Sequence, residues 1–166
     1  MPRWDPEQTV TQSVLERLID REPKVPADAP PSRAQSVRQL KISVRRDLEW
    51  LLNTRRTPEA AGSEYQELEK SVYNFGLPDM SSLNWQSARD RARLCRMLES
   101  ALAVFEPRLL RAKVVPLEAS AGAQHVLRFQ IEGMLAMDPA PEHISFDTVL
   151  QLSSGEYQVK GDASAG

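Results

Sequence analysis

The chain has 166 residues, 41% of them hydrophobic and 27% charged, with a formal net charge of −2 at pH 7, which suits one modest core and excludes a disordered chain. No apolar run approaches the roughly 20 residues that cross a bilayer, and the opening Met1-Pro2-Arg3-Trp4-Asp5-Pro6 offers no secretory leader, so no direct membrane insertion is expected. Arginine dominates before Val114 and carboxylates after it, but Asp47, Glu49, Asp90 and Glu99 interleave with the arginines, a pattern of solvated or partner-facing helices rather than of a nucleic-acid interface.

In chain order, Ser13-Val14-Leu15-Glu16 reads as a capping box that opens a short amphipathic helix, with Val14, Leu15, Leu18 and Ile19 on one apolar face. Pro23, Pro26, Pro30 and Pro31 then predict a stiff connector, so residues 1–31 form a tethered helix that either docks in a partner groove or folds back on its own core. The main domain is expected over residues 32–160. A second box, Ser32-Arg33-Ala34-Gln35, opens the longest helix, whose buried stripe is Val37, Leu40, Val44, Leu48 and Leu51 and whose stop is Thr57-Pro58. A third box at Ser63-Glu64-Tyr65-Gln66 predicts a shorter helix carrying Leu68 and Val72, ended by Gly76 and Pro78. A fourth helix starts near Ser82, turns Ala88, Ala92, Cys95, Leu98, Leu102 and Phe105 inward, and is closed by Pro107.

Beyond Arg111 the period falls to two. Leu127, Phe129, Ile131, Leu135 and Met137 predict one half-buried strand, with Gly133 as a bulge, and Ile144, Phe146, Thr148, Leu150 and Leu152 a second. Ser153-Ser154-Gly155 is a turn into a short strand at Tyr157 and Val159, and 114–117 is a further candidate strand. Helices followed by an antiparallel β-meander make an α+β fold. Residues 161–166 are expected as a disordered tail.

Chemistry is hard to find in this pattern. Cys95 is the single cysteine, which precludes an internal disulfide and fits a reducing cytoplasm. His125 and His143 fall in different strands, no metal-ligand spacing or glycine-rich phosphate loop occurs, and no nucleophile-elbow motif is present. None of the 14 glutamates has an aspartate nine positions later, the spacing of phage-type lysozymes. No cofactor, no metal and no enzyme activity are expected.

Four segments carry a resemblance: SVRRDLEWLLNTRR (43–56), YQELEKSVYNFGLPDM (65–80), FEPRL (105–109) and FDTVLQLSSGEY (146–157). The chain resembles the TssE family, baseplate wedge subunits of type VI secretion systems whose fold is shared with phage baseplate wedge proteins. That resemblance implies a structural subunit bound to TssF, TssG and TssK, in a cytoplasmic baseplate docked at the inner face of the cytoplasmic membrane. It further implies that Glu106, Pro107 and Arg108 anchor the subunit to a helical core bundle of wedge partners. The meander resembles the handshake domain of sheath proteins, which implies that TssB and TssC strands add to its edge, over 144–152 or at its hairpin partner, through Phe146, Thr148, Leu150 and Tyr157.

Read physically, Glu106 ends a helix where the dipole disfavours a carboxylate, so it needs a cation, either Arg108 or a partner's. Arg45, Arg46, Arg55 and Arg56 of the long helix either meet acidic partner surfaces or tie internally to the acidic β half, the preferred use. Arg46 and Asp47 are neighbours in sequence and do not face each other on a helix. The alternatives to a wedge subunit are a regulatory anti-adaptor of the same fold that binds a response regulator and, more remotely, a peptidoglycan hydrolase.

Overall fold

Serine and glutamine side chains set the first helix boundaries in the computed structural model, which describes residues 10–19, 31–59, 64–117 and 126–162. Two units are distinguished, Met1–Val44 and Arg45–Gly166. In the first, Ser13 Oγ accepts the Glu16 N–H at 3.3 Å and starts α1 (Val14–Leu18). In a helix this short one residue sets the inward direction, and that residue is Glu16. The predicted apolar face is therefore turned outward, with Val14 70% and Leu18 76% exposed. Most of the proline connector lies outside the described residues.

The capping box of α2 (Arg33–Asn53) forms as predicted. The Ser32 N–H donates to Gln35 Oε1 at 2.8 Å and the Gln35 N–H to Ser32 Oγ at 3.3 Å. Leu40, Val44, Leu48 and Leu51 are buried, Leu52 joins them, and Val37 is half-buried. The helix stops at Asn53, before Thr57-Pro58, because a passing segment supplies replacement hydrogen bonds. The Leu77 N–H donates to Thr54 O at 2.8 Å and the Arg56 N–H to Leu77 O at 3.0 Å. Gly76 is required there: its φ is +108°, and a Cβ would lie 2.4 Å from Thr54 O.

The helix predicted around Leu68 and Val72 is instead two 3₁₀ turns, Gln66–Lys70 and Val72–Asn74. Side chains here compete with the α-helical ladder: Ser71 Oγ donates to Leu68 O and accepts the Tyr73 N–H, and Asn74 Nδ2 also donates to Leu68 O. Val72 is consequently 88% exposed. Ser63 lies outside the described residues.

Ser87 caps α3 (Ala88–Phe105), its Oγ accepting the Asp90 N–H, while Asp79 engages Ser81 in a separate turn before it, so the helix begins later than Ser82. Leu94, Cys95, Leu98 and Leu102 are buried, whereas Ala88 and Ala92 are exposed. Helix α3 packs on the first of four antiparallel strands, β1 (Leu109–Leu117), β2 (Val126–Leu135), β3 (Glu142–Gln151) and β4 (Glu156–Asp162), in the order β1-β2-β3-β4. The fold is thus α+β with an antiparallel meander. Phe129, Ile131, Leu135, Ile144, Phe146, Leu150, Tyr157 and Val159 form the sheet's buried face, with Phe129 and Tyr157 stacked at 6.5 Å.

The predicted bulge is displaced. Gly133 pairs regularly with Ile144, while the register shift lies opposite, in β1 between Leu110 and Lys113, where Arg111 has φ +54°. Gly133 makes room for it, since a Cβ there would fall 2.7 Å from Leu109 Cδ1. Strand β4 runs to Asp162, two residues into the segment expected as a tail, and residues 163–166 lie outside the described set.

Gly76→Ala is expected to cost on the order of 3 kcal/mol in urea unfolding, from positive-φ strain plus a backbone clash. Gly161→Ala, whose Cβ would meet nothing within 4 Å, is expected to stay within about 0.5 kcal/mol of wild type. Equal costs would contradict the close crossing at Thr54.

Candidate docking surfaces

Pro107 forces the corner between α3 and β1. A residue before proline is barred from helical geometry, and Glu106 accordingly leaves the helix at φ −126°, ψ 69° while its N–H still donates to Leu102 O at 2.9 Å. Glu106 O then accepts the Leu109 N–H at 3.0 Å, and Arg108 O accepts the Ala136 N–H at 2.7 Å, which pins the start of β1 beside the end of β2.

The Glu106 side chain turns inward, and the residue is only 3% exposed. Arg108 meets it as a fork, Nε to Oε1 and Nη2 to Oε2, both at 2.6 Å. The same Nη2 reaches Asp47 Oδ2 on α2 at 2.6 Å, and Asp47 Oδ1 accepts from Arg46 Nε at 3.1 Å and Nη2 at 2.8 Å. Arg46 in turn lies 5.0 Å from the Trp50 ring centroid. Burial works against the Arg108 charge, but the hydrogen bonds and charge of Glu106, with those of Asp47, outweigh it and hold the guanidinium above its ordinary pKa. Cations and carboxylates thus alternate from Glu106 to Arg46, and each carboxylate has a fixed mate.

This geometry revises the predicted site. Glu106 is satisfied within the chain. Arg46 does pair with Asp47, because the long arginine side chain folds along the helix surface to reach its neighbour. The solvent-facing parts of the corner are Pro107, Trp50, which is 56% exposed, and the outer parts of Arg46, Asp47 and Arg108. Arg45 is half-buried and its side chain makes no hydrogen bond or ion pair among the described residues. Arg55 and Arg56 are exposed and lie beyond the end of α2, in the crossing with Leu77.

The sheet also needs correction. Phe146, Thr148, Leu150 and Tyr157 are each at most 2% exposed, so their side chains belong to the core and present nothing to a partner. Strand β3, the first of the two predicted acceptors, is paired on both sides, by β2 and β4, so its ladder has no free side. The edges are β1 and β4. On β1 the outward Val114 N–H donates to Glu99 Oε1 at 2.9 Å, and Pro116, two residues on and directed the same way, has no N–H to offer. On β4 the Asn53 amide mimics a neighbouring strand: the Tyr157 N–H donates to Oδ1 and Nδ2 donates to Tyr157 O, both at 2.8 Å. A register shift bends β4 after Val159. Among the described residues, the outward backbone of Val159 has no partner.

No cluster of three metal-ligating side chains occurs among the described residues, and none of their helices is long and apolar enough to cross a membrane. Cys95 is buried, and burial followed by the charge of Glu99 raises its thiol pKa, the opposite of an activated nucleophile. His143 is exposed, and His125 lies outside the described residues.

The family model described as baseplate wedge protein gp25 matches residues 38–140, from the body of α2 past the corner and β2 into the loop before β3. Nothing matches among curated proteins or among solved structures.

Arg108→Ala strands a buried carboxylate and is expected to cost about 3 kcal/mol in chemical unfolding. Asp47→Ala, at a partly exposed position, should cost about 1 kcal/mol, and Arg46→Ala under about 0.5 kcal/mol. The double variant Glu106→Gln/Arg108→Met should be more stable than Arg108→Ala alone. A flat series, with Arg46→Ala as costly as Arg108→Ala, would contradict an internally satisfied Glu106.

Proposed function

The chain belongs to the family of baseplate wedge protein gp25, a structural family, and we propose that it serves as the TssE-type wedge subunit of a type VI secretion baseplate. The observation that carries this reading is the Glu106-Pro107-Arg108 corner, whose charged groups are all spent on holding helix, strand and neighbouring helix together. Such a corner is a rigid frame for association with other baseplate components, and it holds no reactive group in a cleft.

On this reading the partners TssF, TssG and TssK meet the outer surface of the corner, around Pro107 and Trp50, rather than Glu106 itself. Glu106 and Arg108 then act on assembly by keeping that surface in place. The sheet supplies the second surface. With β1 blocked by Glu99 and Pro116, and Tyr157 already engaged by Asn53, an added strand from TssB or TssC has the outward backbone of Val159 as its starting point. The baseplate would place the protein on the cytoplasmic side of the inner membrane.

Val159→Pro removes one outward N–H while sparing the ladder to β3 and most of the buried apolar volume. In cells producing this variant, TssF and TssG should still co-purify, whereas fluorescent TssB should form no sheaths. Normal sheaths with a folded variant would exclude β4 as the template.

A further inference from the structure

The outer surface of α3 faces a groove of about 1020 Å³ that neither the corner nor the sheet edge uses. Its walls are the crossing at 54–59, the 3₁₀ segment, and α3. Arg55 and Arg56 project from the first, Lys70 from the second, and Arg93 and Arg96 from the third. None of these five cations makes an ion pair among the described residues. Three carboxylates share the groove, Glu59, Glu69 and Asp79. Asp79 is already engaged by the N–H and hydroxyl of Ser81, which, ahead of a smaller contribution from Arg55, lower its pKa. Among the described residues the lining thus carries five cations against three carboxylates, a net positive groove.

The groove is not purely polar. Met97, Ala101 and Phe105 lie along it, and Val104, 42% exposed, stands at its side. The 3₁₀ wall lines the groove with Glu69, Lys70 and Asn74, while the exposed Leu68, Val72 and Tyr73 of the same segment lie outside that lining. Apolar side chains gathered beside unpaired cations suit one chemistry, an apolar seam flanked by carboxylates. A nucleic-acid strand fits less well, because Phe105 is the one aromatic side chain among the lining residues, too few to stack successive bases.

We infer that this groove is a docking site for an acidic amphipathic helix of another protein, its apolar seam on Met97, Ala101 and Val104 and its carboxylates on Arg93, Arg96, Arg55 and Arg56. The site is separate from the corner and from the β4 edge, and stands whether or not either serves in a baseplate. Its attraction is largely between solvent-exposed charges and so weakens steeply with salt.

The test uses the full chain and a fluorescein-labelled synthetic helix of about five turns, with leucines on one face and glutamates on both flanks. Anisotropy should show binding at low salt that weakens at least tenfold in Arg93→Glu/Arg96→Glu and in Arg55→Glu/Arg56→Glu. Lys113→Glu, on the exposed side of β1, should leave it unchanged. Amide resonances shifted by the peptide should cluster in 54–59, 65–74 and α3. The inference is overturned if no binding is detected, if a glutamine version of the peptide binds equally well, if both arginine pairs can be reversed without effect, or if a single-stranded oligonucleotide displaces the peptide and binds more tightly.

Discussion

A carboxylate buried at the C-terminal end of a helix is disfavoured twice, by loss of water and by the negative end of the helix dipole. Glu106 occupies such a position at 3% exposure, and the structure around it is organised to satisfy it. The Arg108 fork closes on both oxygens. That requires Arg108 to return toward the helix end two residues later, which Pro107 enforces by ending the helix at once. The guanidinium then has a donor left for Asp47, and through it α2 is tied to the same point. One buried charge therefore couples the exit of α3, the entry of β1 and the position of the second half of α2.

The sheet hanging from this corner faces the opposite problem, too many unpaired backbone groups at its edges. Both edge strands carry a register shift, and both receive a side chain from a helix: Glu99 of α3 on β1 and Asn53 of α2 on β4. The two interior strands, β2 and β3, pair without interruption along ten residues. Edge protection is thus supplied by the same helices that cover the core, at Val114 on β1 and at Tyr157 on β4.

Periodicity and capping chemistry made the class of the fold legible. The Ser32 box, the Leu40-Val44-Leu48-Leu51 stripe and the alternation through β2 and β3 are local patterns, and local physics decides them. The errors came where distant groups decide. The end of α2 depends on Leu77 presenting its backbone to Thr54 and Arg56. The 3₁₀ turns depend on Ser71 and Asn74 using hydroxyl and amide groups against the helix ladder. The hairpin of β3 with β4 was legible, but that β2 fills the other side of β3 depends on strand pairing that alternation alone does not specify. At the corner, the Glu-Pro-Arg triplet was legible as a helix exit that needs a cation, but Asp47 lies 61 positions away and carries no sequence signal linking it to Arg108. Asn53 was equally silent, since an asparagine near a helix end ordinarily caps its own backbone.

The dependence of α2 on the corner is tested most directly by a double-mutant cycle between Asp47 and Arg108, using Asp47→Ala, Arg108→Ala and the double variant, followed by urea unfolding. If Arg108 holds Asp47 and Glu106 as one unit, the two losses should fall short of additivity by about 1 kcal/mol or more. Losses that add within about 0.4 kcal/mol would show that the helix and the corner are energetically independent, and the corner could not then be the frame on which the rest of the structure is set.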